Sequence, residues 1–147
     1  MRLEKAAIIV MLTVLVWTVP AIASGQSFKI VVHESNSLEA ISTQQLENIF
    51  MKKMSTWTNG QPVIPVDQTA GSSTRNDFSK VIFGRDTNAI KSYWQRQIFS
   101  GRGVPPPERA SDEEVLAFVR VNSGAIGYVS SDARVGSGVK VLEISDD

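Results

Sequence analysis

The sequence predicts an α/β layer in which helices pack on a largely parallel sheet. Three observations predict it. Short apolar runs rich in β-branched residues, FKIVVHES (28–35), PVIPVDQ (62–68), GAIGYVS (124–130) and VKVLEI (139–144), have the length of strands. Between them lie segments whose apolar residues recur at helical spacing. The order strand, helix, strand, helix, helix, helix, strand, strand is the alternation that places helices on a sheet.

Each element has a local reason. FKIVVHES begins with a near-continuous apolar stretch, as expected of a strand buried on both faces. ISTQQLENIFMKK (41–53) opens with helix-start chemistry. Ser42 is the N-cap, Gln45 completes a capping box, and Ile41 with Leu46 forms a hydrophobic staple. Leu46, Ile49 and Phe50 make its buried stripe, and Asn59-Gly60 marks the following turn. Trp57 in that turn is expected to plug the core. PVIPVDQ carries prolines near its ends, which places it at a sheet edge. A helix then runs to Gly84 with Phe78, Val81 and Ile82 as its apolar face. Thr87 is expected to cap the next, which repeats Ile90, Tyr93, Trp94 and Ile98 and closes at Gly101. GRGVPPPERA (101–110) is a stiff connector. Ser111 and Glu114 form a second capping box ahead of Val115, Phe118 and Val119.

The N-terminal 23 residues carry a different signal. Arg2 and Lys5 precede an apolar run from Ala6 to Val19, and Ala21-Ile22-Ala23 supplies small residues for cleavage. Residues 1–23 therefore read as a secretory signal peptide, and 24–147 as one domain with no membrane span after cleavage. The apolar run is shorter than the roughly 20 residues of a spanning helix. Fifteen basic and fifteen acidic residues balance, which gives no general attraction to nucleic acid. The absence of cysteine excludes disulfides, zinc–thiolate sites and a cysteine nucleophile. One histidine and no defensible triad or carboxylate pair leave no catalytic residue, no metal site and no cofactor to assign.

The segment DQTAGSSTRNDFS (67–79) is the candidate binding site. A helix start offers unpaired N–H groups and the positive end of the macrodipole, so it can hold an oxyanion. Ser72, Ser73 and Thr74 add hydroxyls, and Arg75 is expected to supply a full positive charge. Its first-turn position opposes the dipole by about 0.5 kcal/mol. A bare N-cap at Ser72 or Ser73 without any ligand is the competing reading. Ser35 and Asn36 follow the first strand. Ligands of open α/β sheets bind beyond the carboxyl ends of parallel strands, so these two are candidates to donate to the same anion, with a plain polar turn as the competing reading.

Four segments in order, IVVHESN, ISTQQLENIFMKKMSTWTNG, VDQTAGSSTRNDF and VNSGAIGYV, resemble the phosphate-binding protein family of ABC phosphate transporters. The resemblance implies a single lobe of the type II periplasmic-binding-protein fold, because the family's receptors have two lobes and this chain has about half their length. It also implies that Ser72-Ser73-Thr74 match the family's Ser-Gly-Thr loop, with Ser73 replacing the glycine. Gln68 then stands where the family has a ligand-binding arginine, so a charge-assisted pair gives way to neutral hydrogen bonds of about half the strength. The expected function is weak recognition of phosphate or a similar oxyanion by an exported, periplasmic, non-enzymatic binding protein. A homodimer or another envelope protein would supply the second lobe. A cell-envelope structural or protein-interaction module that keeps the fold without the ligand is the alternative.

Overall fold

Apolar strands from the two ends of the described chain meet at the centre of the fold. The computed structural model describes residues 25–146, so the signal-peptide reading of 1–23 lies outside the described residues. Strand β1 (Phe28–His33) sits between β6 (Ala125–Ser130) and β7 (Val139–Ser145) in a five-stranded sheet of order β2-β7-β1-β6-β3. The edges are β2 (Ala40–Ser42), parallel to β7, and β3 (Ile64–Pro65), parallel to β6. Four strands thus run one way, as the expected largely parallel sheet requires. Strand β1 alone opposes both neighbours, with Phe28 against Ser130 and His33 against Val139. The sequence reading did not include that reversal.

Alternation along β1 explains its apolar run. Phe28, Ile30 and Val32 point to one face, where they meet Leu46, Ile49 and Phe50 of α1 (Thr43–Phe50) and Phe78 of α2 (Ser73–Phe78). Val31 points to the other face, against Val115, Leu116 and Val119 of α4 (Asp112–Val121). A strand covered on both sides needs no polar positions. Truncating a core member such as Leu46 to alanine would cost about 2–5 kcal/mol. Gly127 lets α4 approach the sheet, since a Cβ there would lie 2.8 Å from side-chain carbons of both Val115 and Val66. Helix α3 (Thr87–Phe99) packs Ile90 and Trp94 on Met51 at the end of α1.

The capping box of α1 forms in full. Ser42 Oγ accepts from Gln45 N–H, and Gln45 Oε1 accepts from Ser42 N–H. Ile41 and Leu46 are both buried, and Ile41 belongs to β2 as well. Trp57 is buried and its Nε1 donates to the Gly124 carbonyl at 3.0 Å, the core plug expected. The second box is half formed. Ser111 Oγ accepts from Glu114 N–H, but Glu114 Oε2 reaches past the cap to Ala110 N–H.

Three local expectations are corrected. Val81 is about half exposed, because the helix widens into a π-helical turn over Ser79–Phe83 and the extra residue rotates it off the apolar face. Asp86, not Thr87, caps α3. Its Oδ1 accepts from Ala89 N–H, leaving Thr87 as the first helical residue with a buried hydroxyl that has no partner among the described residues. The proline connector is not all coil. Its end forms β5 (Glu108–Arg109), parallel to β4 (Asp67–Gln68).

Candidate functional site

The segment from β3 through β4 into α2 emerges at the carboxyl end of the parallel strands, beside Ser130 at the end of β6. Ser72 is the N-cap of α2 and its Oγ accepts from Arg75 N–H at 3.2 Å. The Ser72 hydroxyl donates to Gln68 Oε1 at 2.6 Å. Gln68 Nε2 then donates to Asp112 Oδ1 and to the Tyr128 carbonyl, both at 3.0 Å. Asp112 is the first residue of α4, where the helix dipole favours a carboxylate. It also accepts from Ser130 through both the backbone N–H and the hydroxyl. One closed chain of hydrogen bonds therefore joins α2, β4, α4 and β6.

A second network lies behind it. Arg75 turns inward and is 4% exposed. Its Nη1 donates to the Gln68 carbonyl and to Glu108 Oε1, each at 2.6 Å, and its Nη2 pairs with Asp67 at 3.3 Å. Asp67 also accepts from the Tyr128 hydroxyl and from Gln68 N–H. Burial raises the Asp67 carboxyl above the usual carboxylate range, against the opposing pull of Arg75. Burial, and then the neighbouring Asp67 carboxylate, push the Tyr128 hydroxyl far up, so it remains a proton donor. Burial alone would lower the Arg75 pKa, but Asp67 and Glu108 more than offset it and keep the guanidinium charged.

The predicted site residues are consequently divided. Ser72, Ser73, Thr74 and Gln68 line one open recess of about 510 Å³ together with Ser111, Asp112 and Ser130. Arg75 does not line it, and its charge is already matched by two carboxylates, the buried Asp67 and the partly exposed Glu108. This corrects the expectation of a ligand-facing cation. Ser35 and Asn36 do not reach the recess either. Since β1 is reversed, they follow His33 at the opposite end of the sheet, about 16 Å away by strand rise. There they close a turn of their own. Ser35 Oγ hydrogen-bonds His33 Nδ1 at 2.7 Å, and Asn36 Oδ1 accepts from Leu38 N–H at 2.9 Å.

Within the recess the remaining donors are few. The hydrogens of the Ser72 and Ser130 hydroxyls and both amide hydrogens of Gln68 are committed to protein acceptors. Among the described residues, the N–H groups and hydroxyls of Ser73 and Thr74 have no protein partner. Asp112 is the one charged residue of the lining, and it is negative. The sequence reading missed it. The signal was its place directly after the Ser111 cap, where a side chain faces the same end of the sheet as α2.

A family model described as a PBP superfamily domain matches residues 17–143. The chain belongs to the PBP superfamily. Its PBP fold is similar to an ABC-type phosphate transport receptor from Vibrio cholerae, with a TM-score of 0.63 and 20% identity over 80% of this chain and 46% of the receptor. It is also similar to a putative phosphate ABC transporter substrate-binding protein with bound phosphate from Clostridium perfringens, with a TM-score of 0.61 and 18% identity over 80% and 44%. A possible phosphate binding protein from Planctomyces limnophilus gives a TM-score of 0.61 and 19% identity over 82% and 42%. At these identities the likeness shows the fold. No curated protein sequence matches the chain. This PBP domain spans less than half the length of each of these structures, the extent of a partial lobe. No helix among the described residues is long and apolar enough to cross a membrane.

Proposed function

We propose that this chain is an exported, periplasmic PBP domain that recognises phosphate or a similar oxyanion weakly, in the recess in front of α2. The observation that carries the reading is the pair Ser73 and Thr74. Their two unpaired N–H groups and two hydroxyls open into a recess at the carboxyl ends of parallel strands. The phosphate-related names of the similar structures support the choice of anion. Export rests on the signal-like composition of residues 1–23. Binding is weak for stated reasons. Arg75 is spent in the interior, Gln68 has no donor left, and Asp112 repels an anion.

A thermal-shift series with phosphate, sulfate and chloride at matched ionic strength tests it. The decisive variant is Ser73→Pro. Position 73 is the first residue of α2, where proline is tolerated, and Ser72 has φ −72° and ψ 128°, which a following proline accepts. The substitution deletes an N–H and a hydroxyl while keeping the helix. Millimolar phosphate should raise the wild-type Tm by a few degrees and leave Ser73→Pro unmoved, with the two ligand-free Tm values alike. An equal response to all three salts defeats the reading.

The closed chain Ser72–Gln68–Asp112–Ser130 favours a second reading, an envelope interaction module that keeps the fold without the ligand. Its signature is a Tm indifferent to phosphate in both proteins.

A further inference from the structure

We propose that Asp67, the residue directly behind the recess, links oxyanion binding to a proton, so that anion and proton are taken up together. The inference rests on the phosphate reading of that recess and concerns how the same site is regulated. Behind Gln68 two carboxylates share one cation. Arg75 holds Glu108 at 2.6 Å and Asp67 at the longer 3.3 Å, so the guanidinium is matched first by Glu108. The carboxylate left in excess is the buried one, since the Asp67 side chain is 12% exposed against 43% for Glu108.

The surroundings of Asp67 suit a group that changes charge. Facing it are Arg75 from α2, Tyr128 from β6, Glu108 from β5 and the Gln68 N–H of its own strand. Among these Arg75 is the cation, and it is shared. Burial raises the Asp67 pKa against that pull. Tyr128 and Gln68 N–H both donate to Oδ1, while Oδ2 faces Arg75. A proton on Oδ2 therefore leaves the bonds at Oδ1 in place, and Arg75 keeps Glu108 and the Gln68 carbonyl. The network survives and loses one negative charge. Gln68 carries that change to the recess. Its N–H and carbonyl are both held by the cluster, and its residue lines the recess. The excess charge acts on a bound anion through protein rather than through solvent, where screening is weak. Once Asp67 is neutral, Asp112 in the lining is the carboxylate left to oppose the anion.

Linkage fixes the sign. A bound anion disfavours ionised Asp67, so affinity is high at low pH and falls as pH rises through the folded-state value. One unit charge at this range is worth on the order of tenfold in affinity. The test titrates inorganic phosphate by thermal shift into wild type and Asp67→Asn, each recovered from cells expressing the full chain, from about pH 4 to about pH 8. Phosphate gains a proton of its own in this range, and that contribution is common to both proteins. The asparagine keeps an oxygen for Tyr128 and Gln68 but carries no charge. It should match wild type in acid and bind about tenfold tighter at neutral pH, a gain that damage to the fold would not produce. The carboxyl carbon resonance of Asp67 gives a second reading, in wild type alone. Saturating phosphate should raise its titration midpoint by about one pH unit. Equal affinities at neutral pH, or a midpoint that phosphate leaves in place, overturn the proposal and leave the binding reading standing. No phosphate response in either protein at any pH defeats the binding reading, and this inference with it.

Discussion

The two ends of the sheet carry similar side chains and do different work. At one end the side chains of His33, Ser35 and Asn36 close a short turn, with His33 Nδ1 bonded to Ser35 and Asn36 Oδ1 accepting from Leu38 N–H. At the other end Gln68, Ser72, Asp112 and Ser130 come from four separate elements and hold one another across the mouth of a recess. The lesson is that serine and asparagine near a strand end say little until the direction of that strand is known. Polar residues beyond parallel strands meet helix N-termini. The side chains beyond the reversed β1 hydrogen-bond within their own turn.

Substitutions can break this contrast, beginning with the largest effect. Arg75→Ala should cost about 3–5 kcal/mol, because it leaves Asp67 buried without its cation. Its pH dependence has a definite sign. Without Arg75 the burial that raises the Asp67 pKa is less opposed, so the folded-state value rises further above the unfolded one. A raised carboxyl gives stability that is present at low pH and is lost as pH rises through the folded value. Urea unfolding should therefore find a larger deficit at neutral pH than in mild acid. Gln68→Leu should cost about 1–3 kcal/mol by stranding Asp112 and Ser72, measured the same way. Ser72→Ala should cost about 1 kcal/mol through the lost cap. Asn36→Ala, at the self-contained end, should stay within about 0.5 kcal/mol and leave any phosphate-dependent Tm shift untouched. A phosphate response that fails in Asn36→Ala would erase the distinction between the ends.

Much of the fold was legible because local chemistry and burial agreed. Ser42, Gln45, Ile41 and Leu46 specify the start of α1 without help from the rest of the chain, and all four behave as expected. The aliphatic run of β1 likewise announced a strand covered on both faces. What escaped was set at long range. The direction of β1 depends on partners about a hundred residues away, and with it went the placement of Ser35 and Asn36. Arg75 reads as a surface cation until Asp67 and Glu108 are brought to it by the β4–β5 pairing, a ladder too short to leave a pattern. Val81 was lost to a one-residue widening of the helix. In the site, Ser72, Ser73, Thr74 and Gln68 do line one recess. That Gln68 and Ser72 would have no hydrogen left to give depends on Asp112, which sequence alone does not bring near.

The position of β1 also governs when the molecule can fold. Its two neighbours are β6 and β7, the last strands to be synthesised, so the first strand of the sheet waits for the final ones. Contacts of such long sequence separation form slowly, because the intervening chain must be closed before they stabilise anything. Until β6 and β7 emerge the central apolar strand lacks both of its sheet neighbours.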